Sequence, residues 1–378
     1  MQQRPSHGCA AASYATVGRK ASPAIAASKP AGLRYHLVMD SPLPGLIAER
    51  VAVDADTFLR EVAGASMPVV LRGQVADWPA IAAGRAGPRA MADYIARFGG
   101  GEPVDTMIGP PRIEGRFFYS PDWTGFNFVR QKVPLPGLMA ELLRLAEGGD
   151  PAPHAIYANA AAAATHFPGW SEANRLDLPI AATARLWIGN AVAVATHYDA
   201  SPNIACVVAG HRRFTLFPPE QLANLYIGPL DHTIAGPPVS MVDPDAPDWD
   251  RYPRFAEAWR AAQIAELGPG DAIFIPALWW HHVRSRDRMN VLVNYWWGEG
   301  DSASPFLALV HAIMAVRDRP SAERQAWRSW FDHLVFDDAA GAAGAHLPEA
   351  VRTVLGAPGD ERRQRIQRFL IASLQQML

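Results

Sequence analysis

Between about residues 154 and 300 the chain is written as short apolar runs cut by clusters of Gly, Pro, Asn and Asp. The runs are "ARLWIGN", "AVAVATHYD", "NIACVVAG", "RRFTLFPP", "QIAELGPGD", "AIFIPALWWHHV" and "MNVLVNYWW", preceded by "HAIYANA". Runs this short, rich in β-branched and aromatic residues and bounded by turn formers, spell strands and exclude long helices. Their number and spacing predict two packed sheets, and they supply most of the strands of a jelly roll. Such a fold carries strands distant in sequence to one place, so a site there is assembled from scattered residues.

The flanks read differently. "VDADTFLREVAG" predicts a short helix handing over to the strand "PVVLRG", "PRAMADYIARFGG" a second helix, and "RFFYS" a short strand. "PLPGLMAELLRLAEGG" predicts a third helix, with Leu138, Leu142, Leu143 and Leu145 on its apolar side. Beyond residue 300, "PFLALVHAIMAV", "SAERQAWRSWFDHLVF" and "ERRQRIQRFLIASLQQML" are amphipathic, the last striped by Ile366, Phe369, Leu370, Leu374 and Met377. The expected organisation is a disordered leader over 1–34, a β-rich domain with an α/β preamble over 35–300, and a helical region over 301–378. The fold class is mainly β with flanking helices, on a double-stranded β-helix core.

Charge and cysteine content narrow the function. A formal net charge of −2 over 378 residues gives no global basic field for nucleic acid or an anionic membrane, and no apolar run is long enough to span a bilayer. Cys9 and Cys206 stand far apart in unlike contexts, which indicates no disulfide framework and a reducing, cytoplasmic setting.

Chemistry enters at "ATHYDASPN", where His197 and Asp199 stand two residues apart at a strand end and so face one point. A His beside an Asp is also an ordinary satisfied core pair, so a third ligand is needed. "GPGDAIFIPALWWHHVRS" offers His281 and His282 after a turn and an apolar strand. Two imidazoles and one carboxylate form the facial set that leaves three positions open on octahedral Fe(II). If Phe274, Pro276 and Leu278 face inward, strict alternation points His282 at the site and His281 away.

Five ordered motifs, "PVVLRGQVADWPA", "HYDASPN", "GHRRFTLFPPEQLANLYIGPLD", "GDAIFIPALWWHHV" and "VNYWW", span roughly residues 45–300 and resemble the JmjC-type, cupin-like oxygenases. Within them the likeness runs to the asparaginyl-hydroxylase branch of factor inhibiting hypoxia-inducible factor. The resemblance implies His197, Asp199 and His281 as iron(II) ligands, with His282 off the metal; a bulge at Pro276 would reconcile that with alternation. It further implies 2-oxoglutarate and dioxygen as cosubstrates, with Arg212 where the family places a lysine for the far carboxylate, and Val194 where relatives carry Ser or Thr. Asn203, Asn294 and Tyr157 match polar positions of the family pocket. Trp279, Trp280, Trp296 and Trp297 are expected to pack the sheets, and His166, His211 and His232 to lie on loops or the surface. The insertion "NLYIGPLDHTIAGPPVSMVDPDAPDWDRYPRFAEA" is the expected lid or specificity element. The implied activity is hydroxylation of a protein side chain or small molecule by a homodimer paired through its C-terminal helices. The alternative is a metal-binding cupin without redox turnover that holds a small ligand.

Overall fold

Why the run from Ile204 to Ala209 is apolar at every position becomes clear from the strand "NIACVVA", Asn203–Ala209, which is buried on both faces. A computed structural model describes residues 43–100, 102–298 and 304–377; the expected leader over 1–34 lies outside them. Eight strands make the core: β1 (Thr183–Gly189), β2 (Ala193–His197), β3 (Asn203–Ala209), β4 (Arg212–Phe217), β5 (Gln263–Leu267), β6 (Ala272–Ile275), β7 (Trp280–Ser285) and β8 (Asn290–Trp296). They fold into two facing sheets, ordered β6-β3-β8-β1 in one and β5-β4-β7-β2 in the other. The first is extended at both ends by strands of the preamble, among them Val69–Arg72, Ala155–Ala162 and Val104–Gly109. This is the mainly β jelly roll with flanking helices that the runs predict.

Alternation sorts the side chains of the larger sheet. Ile204, Cys206, Val208, Val291, Val293, Leu186 and Ile188 face outward into a core shared with the helices Pro79–Ala86, Pro88–Ala96 and Leu135–Glu147. Ala205, Val207, Ile273, Ile275 and Leu292 face inward, packing with Phe214, Leu216 and Val283 of the smaller sheet. A sheet covered on both faces needs continuous apolar strands, hence the unbroken run in β3. Phe274 closes the outer core, edge-on to Phe58 with centroids 6.0 Å apart and stacked on Trp297 at 5.9 Å.

Phe274 therefore faces away from the barrel interior, which corrects the register assumed for "AIFIPALWWHHV". That run is not one bulged strand. It is β6 and β7 in different sheets, joined across Pro276 to Trp279 by a turn in which Leu278 takes φ +65°. Proline, having no N–H to give a ladder, suits the corner. The irregularity lies instead between His281 and Val283 along the β7–β2 pairing, where His281 stands opposite His197 and Val283 opposite Val194.

The C-terminal helices Pro305–Val316, Ser321–Phe331 and Asp360–Met377 contain no buried residue among those described. Leu307, Met314, Trp330 and Phe369 are each more than 60% exposed. The apolar faces read from the sequence are present, and they are not covered by the chain's own barrel. No helix among the described residues is long and apolar enough to cross a membrane.

Candidate metal centre

At the open end of the barrel β2 and β7 run antiparallel with His197 and His281 as direct partners, their ring centroids 4.3 Å apart. His197 ends β2; Asp199 follows two residues later, its backbone carbonyl accepting from the Leu278 N–H at 2.8 Å. The β6–β7 corner thus fixes the loop that carries the carboxylate. Potential ligand atoms of His197, Asp199 and His281 all lie within 4.8 Å of one another.

The tautomers follow from the backbone. His197 Nδ1 lies 2.9 Å from the Ala195 carbonyl and His281 Nδ1 lies 3.0 Å from that of Trp279. A carbonyl can only accept, so each Nδ1 carries the proton and each Nε2 keeps its lone pair, the form a metal requires. Burial, and then the adjacent His197 ring, hold the His281 pKa below the ordinary imidazole range, which keeps it neutral. Asp199 Oδ2 accepts from Asn203 Nδ2 at 3.0 Å and from the Trp296 indole N–H at 3.1 Å, two donors that orient the carboxylate. Asn294 Nδ2 in turn donates to Asn203 Oδ1 at 3.1 Å. The donor set suits Fe(II), and the groups behind it hold it ready.

The cavity beside this cluster has a volume of about 280 Å³ and is walled by Val194, Phe214, Ile275, Val283 and Leu292. Into that apolar space reaches Arg212, the first residue of β4, fully buried. None of its three side-chain nitrogens has a hydrogen-bond partner among the described residues. Tyr157, also buried, lies beside it, and the guanidinium partly offsets what burial does to the phenol. Burial pulls the guanidinium pKa down and pushes the phenol up. The turn before β4 requires its glycine: Gly210 has φ +74°, and a Cβ there would meet the Asn290 side-chain oxygen.

All seven residues singled out in the sequence, His197, Asp199, His281, Arg212, Asn203, Asn294 and Tyr157, meet in or directly around this cavity. His282 does not. It points to the opposite face, where its Nε2 lies 3.2 Å from Asp245 Oδ2. Asp243, Asp245 and His282 form a second close group, but Arg116 pairs with Asp243 at 3.2 Å and Arg284 lies 3.8 Å from Asp245. Those cations make it a charge-paired clasp between the insertion and β7.

The insertion also reaches the cavity mouth through Ala235 and Pro237. It is held there by Tyr119, whose hydroxyl donates to the His232 carbonyl at 2.7 Å, and by Phe126 stacked on the His232 ring. Trp296 departs from the expectation of pure sheet packing, since it lines the cavity and donates to Asp199. Arg185, Trp187 and Asn159 also line it and escaped the sequence reading. Alternation within "ARLWIGN" could have found the first two, which share a face; Asn159 sits at a register shift that alternation does not foresee.

The family model of the cupin-like domain matches residues 55–303, well over half of the chain. The chain belongs to this family of cupin-like domains. The chain is 36% identical over 123 residues to the lysine-specific demethylase JMJ31 of Arabidopsis thaliana, covering 32% of the chain and 22% of that protein. It is 33% identical over 116 residues to lysine-specific demethylase 8 of Xenopus tropicalis, covering 30% and 25%. It is 39% identical over 102 residues to the tRNA wybutosine-synthesizing protein 5 of Mus musculus, covering 27% and 29%. The matched stretches thus span under a third of each relative's length.

Iron(II) affinity separates the two adjacent histidines. We expect His281→Ala to weaken it by at least about a hundredfold and His282→Ala by less than about tenfold, measured by anaerobic competition with a chromogenic chelator. The reverse ranking would move the ligand to His282.

Proposed function

We propose that this chain is an iron(II)- and 2-oxoglutarate-dependent oxygenase that hydroxylates a C–H bond of a protein side chain or small molecule. The observation that carries the reading is Arg212. An arginine keeps its charge in any protein, and a buried charge without a partner costs on the order of several kcal/mol. Its full burial in an apolar cavity, beside two imidazoles and a carboxylate, is accounted for by an anion that enters with the metal. A planar guanidinium suits a carboxylate, which it grips through two parallel hydrogen bonds.

In this reading His197, Asp199 and His281 hold iron(II), and Asn203 and Trp296 keep the Asp199 carboxylate aimed. Arg212, with Tyr157 beside it, takes the far carboxylate of 2-oxoglutarate, and the Asn294 amide, whose oxygen has no partner among the described residues, faces the near end. The bound iron and 2-oxo acid together supply the oxidant made from dioxygen, with succinate and carbon dioxide as products. Val194, Phe214, Ile275, Val283 and Leu292 keep the space dry. The relatives named as demethylases and as a tRNA-modifying protein leave the substrate class open; the overall charge of −2 and a cavity of side-chain size favour a protein side chain or small molecule.

Anaerobic addition of iron(II) and then 2-oxoglutarate tests this: a weak visible metal-to-ligand absorption is expected in wild type and not in Asp199→Ala. If iron binds and the band never forms, the non-redox, ligand-holding cupin becomes the better reading.

The same proposal takes residues 35–300 as the catalytic domain and 301–378 as a dimerisation region in a cytoplasmic protein. Exposed Leu307, Met314, Trp330 and Phe369 support it, since apolar faces this extensive are normally covered by a partner, and a two-fold pairing of identical helices covers both copies at once. Light scattering is expected to give twice the 41.1 kDa chain mass, and Trp330→Glu with Phe369→Glu to return it to one. A monomeric wild-type chain would exclude the dimer.

A further inference from the structure

The structure assigns Arg185, with Asn159, to the capture of an acidic group on the substrate at the cavity mouth. This rests on the oxygenase reading and goes beyond it by naming the chemistry of what is hydroxylated.

Arg185 lies on β1 with its side chain on the face that Trp187 presents to the cavity, while Ala184 and Leu186 between them turn to the outer core. Its partner across the ladder is Asn294, also a cavity residue. Side chains of directly opposed residues share a face with Cβ atoms about 5 Å apart, so the guanidinium projects beside the amide that faces the metal cluster. Arg185 is exposed where Arg212 is fully buried, which puts one cation at the rim and the other deep inside. Its side chain forms no ion pair or hydrogen bond among the described residues.

Asn159 arrives at the same rim by a separate device. The pairing of the Ala155–Ala162 strand with β1 shifts register between Ala158 and Ala161, and Ala160 takes a left-handed φ of +48°. A bulge of this kind bends a strand and re-aims a side chain, and a left-handed non-glycine residue is held only where the surroundings enforce it. Here it brings Asn159 to the cavity, and the amide has no partner among the described residues.

Charge decides what the pair awaits. With iron(II) and 2-oxoglutarate in place, the positive charges of the metal and Arg212 are cancelled by Asp199 and the two carboxylates of the cosubstrate. Arg185 is then the uncompensated charge among the cavity residues. The remaining mouth residues include Ala160, Ala200, Ala235 and Pro237, all neutral. A nucleic acid needs several cations along a groove to follow its phosphates, and this rim supplies one. A single fork beside an amide fits a single carboxylate: an aspartate or glutamate side chain or a terminal carboxylate close to the carbon that is oxidised.

The test uses the full chain, iron(II) and 2-oxoglutarate without oxygen, and calorimetric titration with four probes: capped hexapeptide pools rich in Asp and Glu, the same pools with Asn and Gln, the same pools with Lys, and a short single-stranded RNA. Wild type is expected to bind the acidic pool about tenfold or more tighter than its amide counterpart. Arg185→Gln should abolish that preference, and Arg185→Glu should create one for Lys-rich peptides, a gain that only folded protein can show. Equal binding of acidic and amide pools, a preference that survives Arg185→Gln, or tighter binding of the RNA overturns the inference. A wild-type protein that binds no 2-oxoglutarate instead overturns the oxygenase reading, and the charge argument falls with it.

Discussion

The site depends on one antiparallel pairing, that of β2 with β7. It makes direct neighbours of His197 and His281, which the chain separates by four crossings between the sheets, and it does so at the barrel's open end. Had β7 slipped by a single residue, His282 would occupy that place and the whole strand would turn its faces over. Two features pin the register. The β6–β7 corner is tied to the Asp199 backbone by the Leu278 N–H, and the outward His282 is held by Asp245 of the insertion. The backbone carbonyls of Ala195 and Trp279 then fix both imidazole tautomers, so the strands set where the histidines lie and which nitrogen each offers.

Around this pairing the barrel concentrates charge in an otherwise apolar interior. Arg212 begins a strand whose next inward residues are Phe214 and Leu216, and it is the largest polar side chain in the fully buried set. Where the resemblance implies a lysine, arginine keeps the charge and changes the geometry from a mobile point donor to a planar fork. Val194, at the place where relatives carry a hydroxyl, adds apolar wall instead of a further donor. In the proposed oxygenase reading the grip on a far carboxylate therefore falls more fully on the guanidinium.

Much of this was legible before any coordinates. The strand runs, the helices of the preamble and the amphipathic C-terminal helices follow from local pattern, because burial on one face or two writes itself into the spacing of apolar residues. Alternation puts His197 and Asp199 at one point, though the pair alone is equally a satisfied core pair. The choice of His281 over His282 was not, since it turns on where β6 ends and β7 begins, and a corner between two sheets looks like one continuous apolar run. Resemblance supplied the residue while the reason offered for it, a bulge at Pro276, differed from the corner that the fold contains. Trp296, Arg185 and Asn159 were missed for a similar cause: whether an aromatic or a cation faces cavity or solvent depends on the partner strand and on a register shift that no local pattern records.

The central claim is that the buried guanidinium of Arg212 awaits the second carboxylate of a 2-oxo diacid. It is tested most directly by calorimetry without oxygen in the presence of iron(II), comparing 2-oxoglutarate with 2-oxopentanoate, which has the same chain length and metal-binding end but no far carboxylate. The account predicts that 2-oxoglutarate binds at least about a hundredfold more tightly, as expected when a buried charge gains or lacks its partner. Equal affinity for the two acids would contradict it.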